Sequence, residues 1–241
     1  MAQYVYGKNV VKQLLNDDKK IYEVLIQEGM KDRSFEDLLK QKKIPVRVLN
    51  KKKLEALLKT DHHQGIAASI DEYKTYSVDE ILKAVPAGKT PLLVMLDGLE
   101  DPHNLGAIMR TAECAGAHGI ILPKRNSCGL TETVAKTSAG AIEYMPCVKV
   151  SNIVRTIDEL KTMGFWIAAC DMGGQEYYRT DLRGKLAVVI GGEGNGISRL
   201  VKEACDFTVS MPMKGKITSL NASNAAAVLM YEVRRQRDGE R

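Results

Sequence analysis

The sequence predicts an α/β fold in two parts: a small N-terminal α/β unit and a larger C-terminal domain built on a parallel sheet. Three observations predict it. From Leu92 onward, short apolar runs alternate with helix-patterned stretches, as parallel strands covered by helices require. A glycine cluster, Gly191 to Gly196, follows directly on one such run, Leu186–Ile190. The excess positive charge is confined to the first third. Residues 1–70 hold 14 Lys and Arg against 9 Asp and Glu, whereas the remainder balances 21 against 21. A basic unit joined to a neutral one suits a polyanion-binding module attached to a site with other work.

Residues 1–72 read as the basic unit. Tyr4-Val5-Tyr6-Gly7 precedes a helix with Val10, Val11, Leu14 and Leu15 on one face. Ile21–Gln27 is strand-like, Phe35, Leu38 and Leu39 mark a second helix, and Val46-Arg47-Val48 a short strand. Lys51-Lys52-Lys53 opens a third helix, and residues 65–70 close the unit with a strand. Lys8, Lys42, Lys43, Lys51 and Lys52 are the candidate phosphate contacts, and His63 is expected to be either structural or a further contact with the polyanion. His62 and His63 have no accompanying thiol or carboxylate cluster, so no metal site is expected. Residues 73–90, with Pro86 and Gly88, read as a linker.

Residues 91–241 form the second domain. Leu92–Leu96 is a buried strand. Asn104 is expected as N-cap of a helix carrying Leu105, Ile108, Met109 and Ala112 on its apolar stripe. At about 100° per residue, Arg110 lies roughly 140° from the centre of that stripe, so a packed helix presents it outward. Strands follow at residues 120–122, 143–148 and 165–170, with helices at 130–138 and 153–163. A loop rich in Gly, Tyr and Arg, residues 173–183, leads to the glycine cluster. A helix at 197–204, a strand at 207–211, and an Ala-rich helix from about Asn221 complete the pattern.

The glycine cluster fits neither familiar nucleotide loop. Gly192-x-Gly194 has Ile197 where a dinucleotide fingerprint needs glycine, and no lysine follows Gly196 as a phosphate loop needs. Ser219-Leu220-Asn221-Ala222-Ser223-Asn224-Ala225 places four hydrogen-bonding side chains at a helix start, more than a cap requires. Five cysteines without a C-x-x-C pair predict reduced thiols in a cytoplasm. No apolar run is long enough to cross a membrane.

Three segments together carry a resemblance. Asn104-Leu105-Gly106-Ala107-Ile108-Met109-Arg110-Thr111-Ala112, Gly192-Glu193-Gly194-Asn195-Gly196-Ile197-Ser198 and Ser219-Leu220-Asn221-Ala222-Ser223-Asn224-Ala225 resemble, in order, the three motifs of the SpoU (TrmH) class of RNA 2′-O-ribose methyltransferases. That class lies within the knotted SPOUT superfamily. Tyr4–Gly7 and His62–Ala67 resemble landmarks of the accessory domain of many such enzymes, itself similar to small RNA-binding ribosomal proteins.

The resemblance implies a deep trefoil knot in the C-terminal domain, a homodimer through that domain, and S-adenosyl-L-methionine as cofactor. It implies a catalytic set of Arg110, Asn104, Glu193, Ser219 and Asn221. Ile190, Gly191, Gly192, Gly194, Met211, Pro212, Leu220, Ser223 and Ala225 are implied cofactor contacts, with no metal. The layout most resembles bacterial enzymes that methylate a guanosine in the P-loop of 23S rRNA. A tRNA ribose methyltransferase and a non-catalytic RNA-binding or ribosome-assembly protein are the alternatives. The class treats the motif arginine as a general base. A guanidinium stays protonated above pH ~12, so a bidentate grip on a phosphate beside the target ribose is the firmer physical role for Arg110. Glu193 is expected to meet the cofactor or to cap the helix beginning near Gly196.

Overall fold

The structure, a computed structural model, describes residues 2–16, 20–30, 32–58 and 60–239. The chain divides into two compact units, residues 1–73 and 74–241.

In the first unit the elements run β1 (Ala2–Tyr6), α1 (Lys8–Asn16), β2 (Ile21–Gln27), α2 (Arg33–Gln41), β3 (Val46–Leu49), α3 (Lys51–Leu58) and β4 (Ile66–Asp71). The sheet order is β1-β4-β2-β3, with β4 antiparallel to both its neighbours and β3 parallel to β2. Alternation along β2 sends Val24 to one face and Leu25 to the other. Val24 packs with Val11, Leu14 and Phe35 of α1 and α2, and Leu25 with Leu54 of α3. Both faces of this small sheet are therefore covered.

The second unit holds α4 (Val78–Ala84), β5 (Leu92–Asp97), α5 (Pro102–Ala115), β6 (Gly119–Pro123), α6 (Glu132–Thr137), β7 (Cys147–Val150), α7 (Ile153–Thr162), β8 (Trp166–Glu176), β9 (Leu186–Gly191), α8 (Arg199–Ala204), β10 (Phe207–Ser210) and α9 (Ala222–Asp238). Its six strands are all parallel, in the order β10-β8-β9-β5-β6-β7. Leu93, Met95, Ala187 and Val189 face Ile157, Leu160 and Val201 of α7 and α8, while α5 and α9 pack together on the opposite side. Burial on both faces explains why these strands read as continuous apolar runs.

The sheet order matters for the site. β5 and β9 are neighbours, but β5 is followed by β6 on one side and β9 by β10 on the other. Their carboxyl ends open a crevice where successive connections diverge, the place where α/β sheets bind ligands.

Several boundaries differ from expectation. Within residues 73–90, Ser77 caps α4 in a reciprocal capping box with Glu80, and Ile81 is buried in the second unit's core. This stretch is thus packed structure; its few apolar residues gave too weak a periodicity to show it. The strand expected at 143–148 begins only at Cys147, after a 3-10 turn at Ala141–Glu143. β8 runs on to Glu176, through part of the expected loop. A Cβ at Gly174 would stand 2.2 Å from the Thr208 carbonyl oxygen, so glycine lets β10 approach there.

Candidate active site

Helix α5 begins earlier than its motif suggested. Asp101 is the N-cap, its carboxylate accepting the His103 amide at 2.9 Å, and Pro102 takes the first helical position. Asn104 therefore sits inside the first turn, 5% exposed, and its side chain is free for other partners. Its Nδ2 donates to Glu193 Oε1 at 2.8 Å. Asn221, the N-cap of α9, donates its Nδ2 to the same carboxylate oxygen at 2.6 Å and to Asn104 Oδ1 at 2.9 Å. The Asn221 Oδ1 accepts the amide and hydroxyl of Ser223 at 2.9 and 2.6 Å. Residues far apart in sequence thus close one polar triad, with a carboxylate held by two amides.

Glu193 does not cap α8. The Ser198 amide at that helix's start is taken by Asp97 Oδ2, at 2.7 Å. This leaves the Glu193 carboxylate to the asparagines. No hydrogen-bond partner of its second oxygen is found among the described residues.

The glycines serve the backbone of the site first. A Cβ on Gly191 would meet the Gly196 carbonyl carbon at 2.2 Å, and one on Gly192 the Gly98 carbonyl oxygen at 2.0 Å. The loop after β9 is folded on itself and pressed onto the loop after β5, which only glycine permits.

A cavity of about 580 Å³ opens beside this loop. Ile190, Gly191, Gly192, Glu193, Gly194, Met211, Ser219, Leu220, Asn221 and Ala225 line it. Pro212 and Ser223, expected as cofactor contacts, do not; Ser223 instead holds Asn221. Cys170, Asp171 and Met172 of β8 also line it, and sequence reading missed them. The signal was weak: strand 165–170 was legible, but its extension past Cys170 was not. Burial pushes the Cys170 thiol up to about 11, while Lys202 pairs with Asp171 at 2.6 Å. A second cavity, about 780 Å³, lies across the glycine loop and shares Gly192, Glu193, Asn195 and Gly196 with the first. Asn104 lines this second one.

Arg110 lies outside both cavities, exposed and without a partner among the described residues. It stands about 9 Å along the helix from Asn104. Gly106, between them, is demanded by packing, since a Cβ there would fall 1.8 Å from Thr137 Oγ1.

In the first unit, Lys8, Lys43, Lys51 and Lys52 are exposed and Lys42 is half-buried. Lys8 lies 3.8 Å from Asp32 and Lys51 3.7 Å from Glu55. His63, expected to be structural or a polyanion contact, is turned inward, 2% exposed. Its Nδ1 accepts the Gly65 amide at 3.0 Å, bracing a turn in which Gln64 and Gly65 both have positive φ. The ring thus faces the interior of the unit and not the solvent. Among the described residues no group of His, Cys, Asp and Glu could hold a metal ion.

Comparison with known proteins agrees with this geometry. Residues 91–231 match the SpoU rRNA Methylase family, and residues 4–76 match the family described as RNA 2′-O ribose methyltransferase substrate binding. YacO of Bacillus subtilis, named for the TrmH family of tRNA/rRNA methyltransferases, is 46% identical over 98% of this chain and 96% of its own length. The SpoU methyltransferase AviRb of Streptomyces viridochromogenes, solved in complex with AdoMet, superposes with a TM-score of 0.65 at 24% identity, covering 99% of this chain and 91% of AviRb. A structure titled RNA 2′-O ribose methyltransferase gives a TM-score of 0.60 at 25% identity, covering 98% of this chain and 89% of that one. With its three motifs meeting in one triad and 98% of its length matched by a relative, the chain belongs to the SpoU (TrmH) family of RNA methyltransferases.

Proposed function

We propose that the protein transfers a methyl group from S-adenosyl-L-methionine to a ribose 2′-hydroxyl of RNA, preferentially a guanosine in the P-loop of 23S rRNA. The observation that carries this reading is the Asn104–Glu193–Asn221 triad at the rim of a glycine-walled cavity. The cavity of about 580 Å³ would hold the cofactor, with residues 190–194 and 219–221 lining it. The acceptor hydroxyl approaches the triad, where the free oxygen of Glu193 takes its hydrogen bond. S-adenosyl-L-methionine bound there would supply a methyl carbon made electrophilic by its sulfonium, and the free oxygen of Glu193 would take the proton that the hydroxyl gives up. The enzyme's share is alignment and charge, with no metal among the reactants. Arg110 grips the phosphate next to the target ribose, and its exposed, unpartnered position suits an RNA ligand.

The basic N-terminal unit, built like a small ribosomal protein, binds folded RNA. The three lysines opening α3 face the positive end of that helix's dipole, a placement that a bound phosphate would relieve. In this reading the segment after β10 is threaded as a deep trefoil knot, two copies pair through the knotted domain, and the protein works in the cytoplasm. The test is methyl incorporation from labelled S-adenosylmethionine into rRNA and tRNA, with the site mapped by resistance to alkaline cleavage. One protected linkage in 23S rRNA is expected. A linkage in tRNA would keep the chemistry and overturn the substrate. No cofactor binding would overturn the enzyme reading.

A further inference from the structure

The larger of the two cavities is not the one assigned to the cofactor above, yet it shares the Glu193 wall. It lies at the carboxyl ends of β5 and β6, between the loops at residues 97–101 and 123–128. The Cys128 amide ties these loops together by donating to the Leu99 carbonyl at 3.0 Å. Its polar groups divide into used and unused. Asp97 and Asp101 are spent on helix starts, bound to the amides of Ser198 and His103. Glu100, Arg125 and Asn126 line the cavity without partners among the described residues. Asn126 has a positive φ of 54°, the left-handed conformation that asparagine adopts more readily than most residues.

We propose that this cavity receives an unstacked guanine nucleotide of the RNA, which rests on the methyltransferase reading above. The volume, about 780 Å³, is enough for a nucleotide. The carboxylates inside disfavour a phosphate there and favour a donor-rich base edge. Guanine presents N1–H and the N2 amino group side by side, which one carboxylate accepts together. Glu100 is the free carboxylate, Asn126 is the adjacent adaptable donor and acceptor, and Arg125 keeps the nucleotide's phosphate at the rim. A base seated here puts its own ribose against the shared wall, where Glu193 faces the cofactor side. Single-stranded RNA is commonly read this way, by bases drawn out of the stack.

The experiment is NMR titration of the full chain with millimolar GMP, AMP, CMP and UMP, with and without saturating S-adenosylmethionine, in the wild type and in Glu100→Gln and Arg125→Ala. Both residues are exposed, so the fold should survive their change. GMP is expected to shift resonances of residues 99–101 and 125–126 with the cofactor present. Glu100→Gln should weaken GMP about tenfold or more and erase its advantage over AMP. Arg125→Ala should weaken all four nucleotides alike. Displacement of GMP by the cofactor, equal binding of all four bases, or no shift at residues 99–101 would each overturn the proposal. Failure of S-adenosylmethionine itself to bind would strike the enzyme reading and leave the GMP result to stand by its own shifts.

Discussion

The carboxylate of Glu193 and the side-chain amide of Asn104 lie 2.8 Å apart although 89 residues of chain separate them. Asn221 donates to the same oxygen from a third element. A carboxylate gripped by two amides is fixed in direction, and among the described residues it enters no ion pair. That is the preorganised arrangement electrostatic catalysis calls for.

Replacing that charge while keeping the shape separates the two contributions. Glu193→Gln should fold normally and bind S-adenosylmethionine within a few-fold of wild type, with methyl transfer falling by about 100-fold. Single-turnover kinetics alongside cofactor titration checks it; wild-type turnover would remove Glu193 from the reaction.

Asn221 carries two duties, capping α9 and holding Glu193. Asn221→Ala should lose about 1 kcal/mol from the missing cap and, in addition, most of the activity. Asn221→Ser, which still caps, should recover the stability in urea denaturation and leave the activity low.

Arg110→Ala should leave the melting temperature unchanged, because the side chain is exposed and has no hydrogen bond or ion pair among the described residues to lose. Methyl transfer should fall by roughly 100-fold or more. Arg110→Lys should restore little of it, since a point charge cannot supply the bidentate fork.

His118 predicts a pH dependence of stability. Burial, and next the positive charge of Arg237, lower its pKa from the usual 6.5. The folded protein therefore holds the ring neutral where the unfolded chain would protonate it. Its contribution is complete above pH 6.5 and is lost as pH falls from there through the lower folded value. Melting temperatures should drop more steeply below pH 6.5 in the wild type than in His118→Asn.

Much of this was legible in the residues, and the exceptions have physical causes. The strands of the second unit showed because burial on both faces leaves nothing but apolar side chains. The three motifs showed because chemistry at a loop requires particular residue types. The placement of Asn104 did not, since Asn and Asp cap helices equally well and Asp101 stands three residues earlier. The inward turn of His63 was hidden because a histidine beside a basic surface looks the same whether it braces a turn or meets a ligand. The extended end of β8 was hidden by its glycines, which argue for a loop locally and are explained only by β10 beside them.

The glycines also differ in how a lineage could recover from losing them. Gly106 abuts mainly a side chain: a Cβ there meets Thr137 Oγ1 and Cβ most closely, with the Ser138 amide nitrogen at 3.0 Å. Gly106→Ala should destabilise by about 1–3 kcal/mol, and trimming Thr137 gives selection a place to compensate. Gly191 and Gly192 abut the main chain of Gly196 and Gly98 instead, and no codon change elsewhere can prune a carbonyl. A genetic screen for second-site revertants should rescue the first lesion and return, for the other two, only restored glycine.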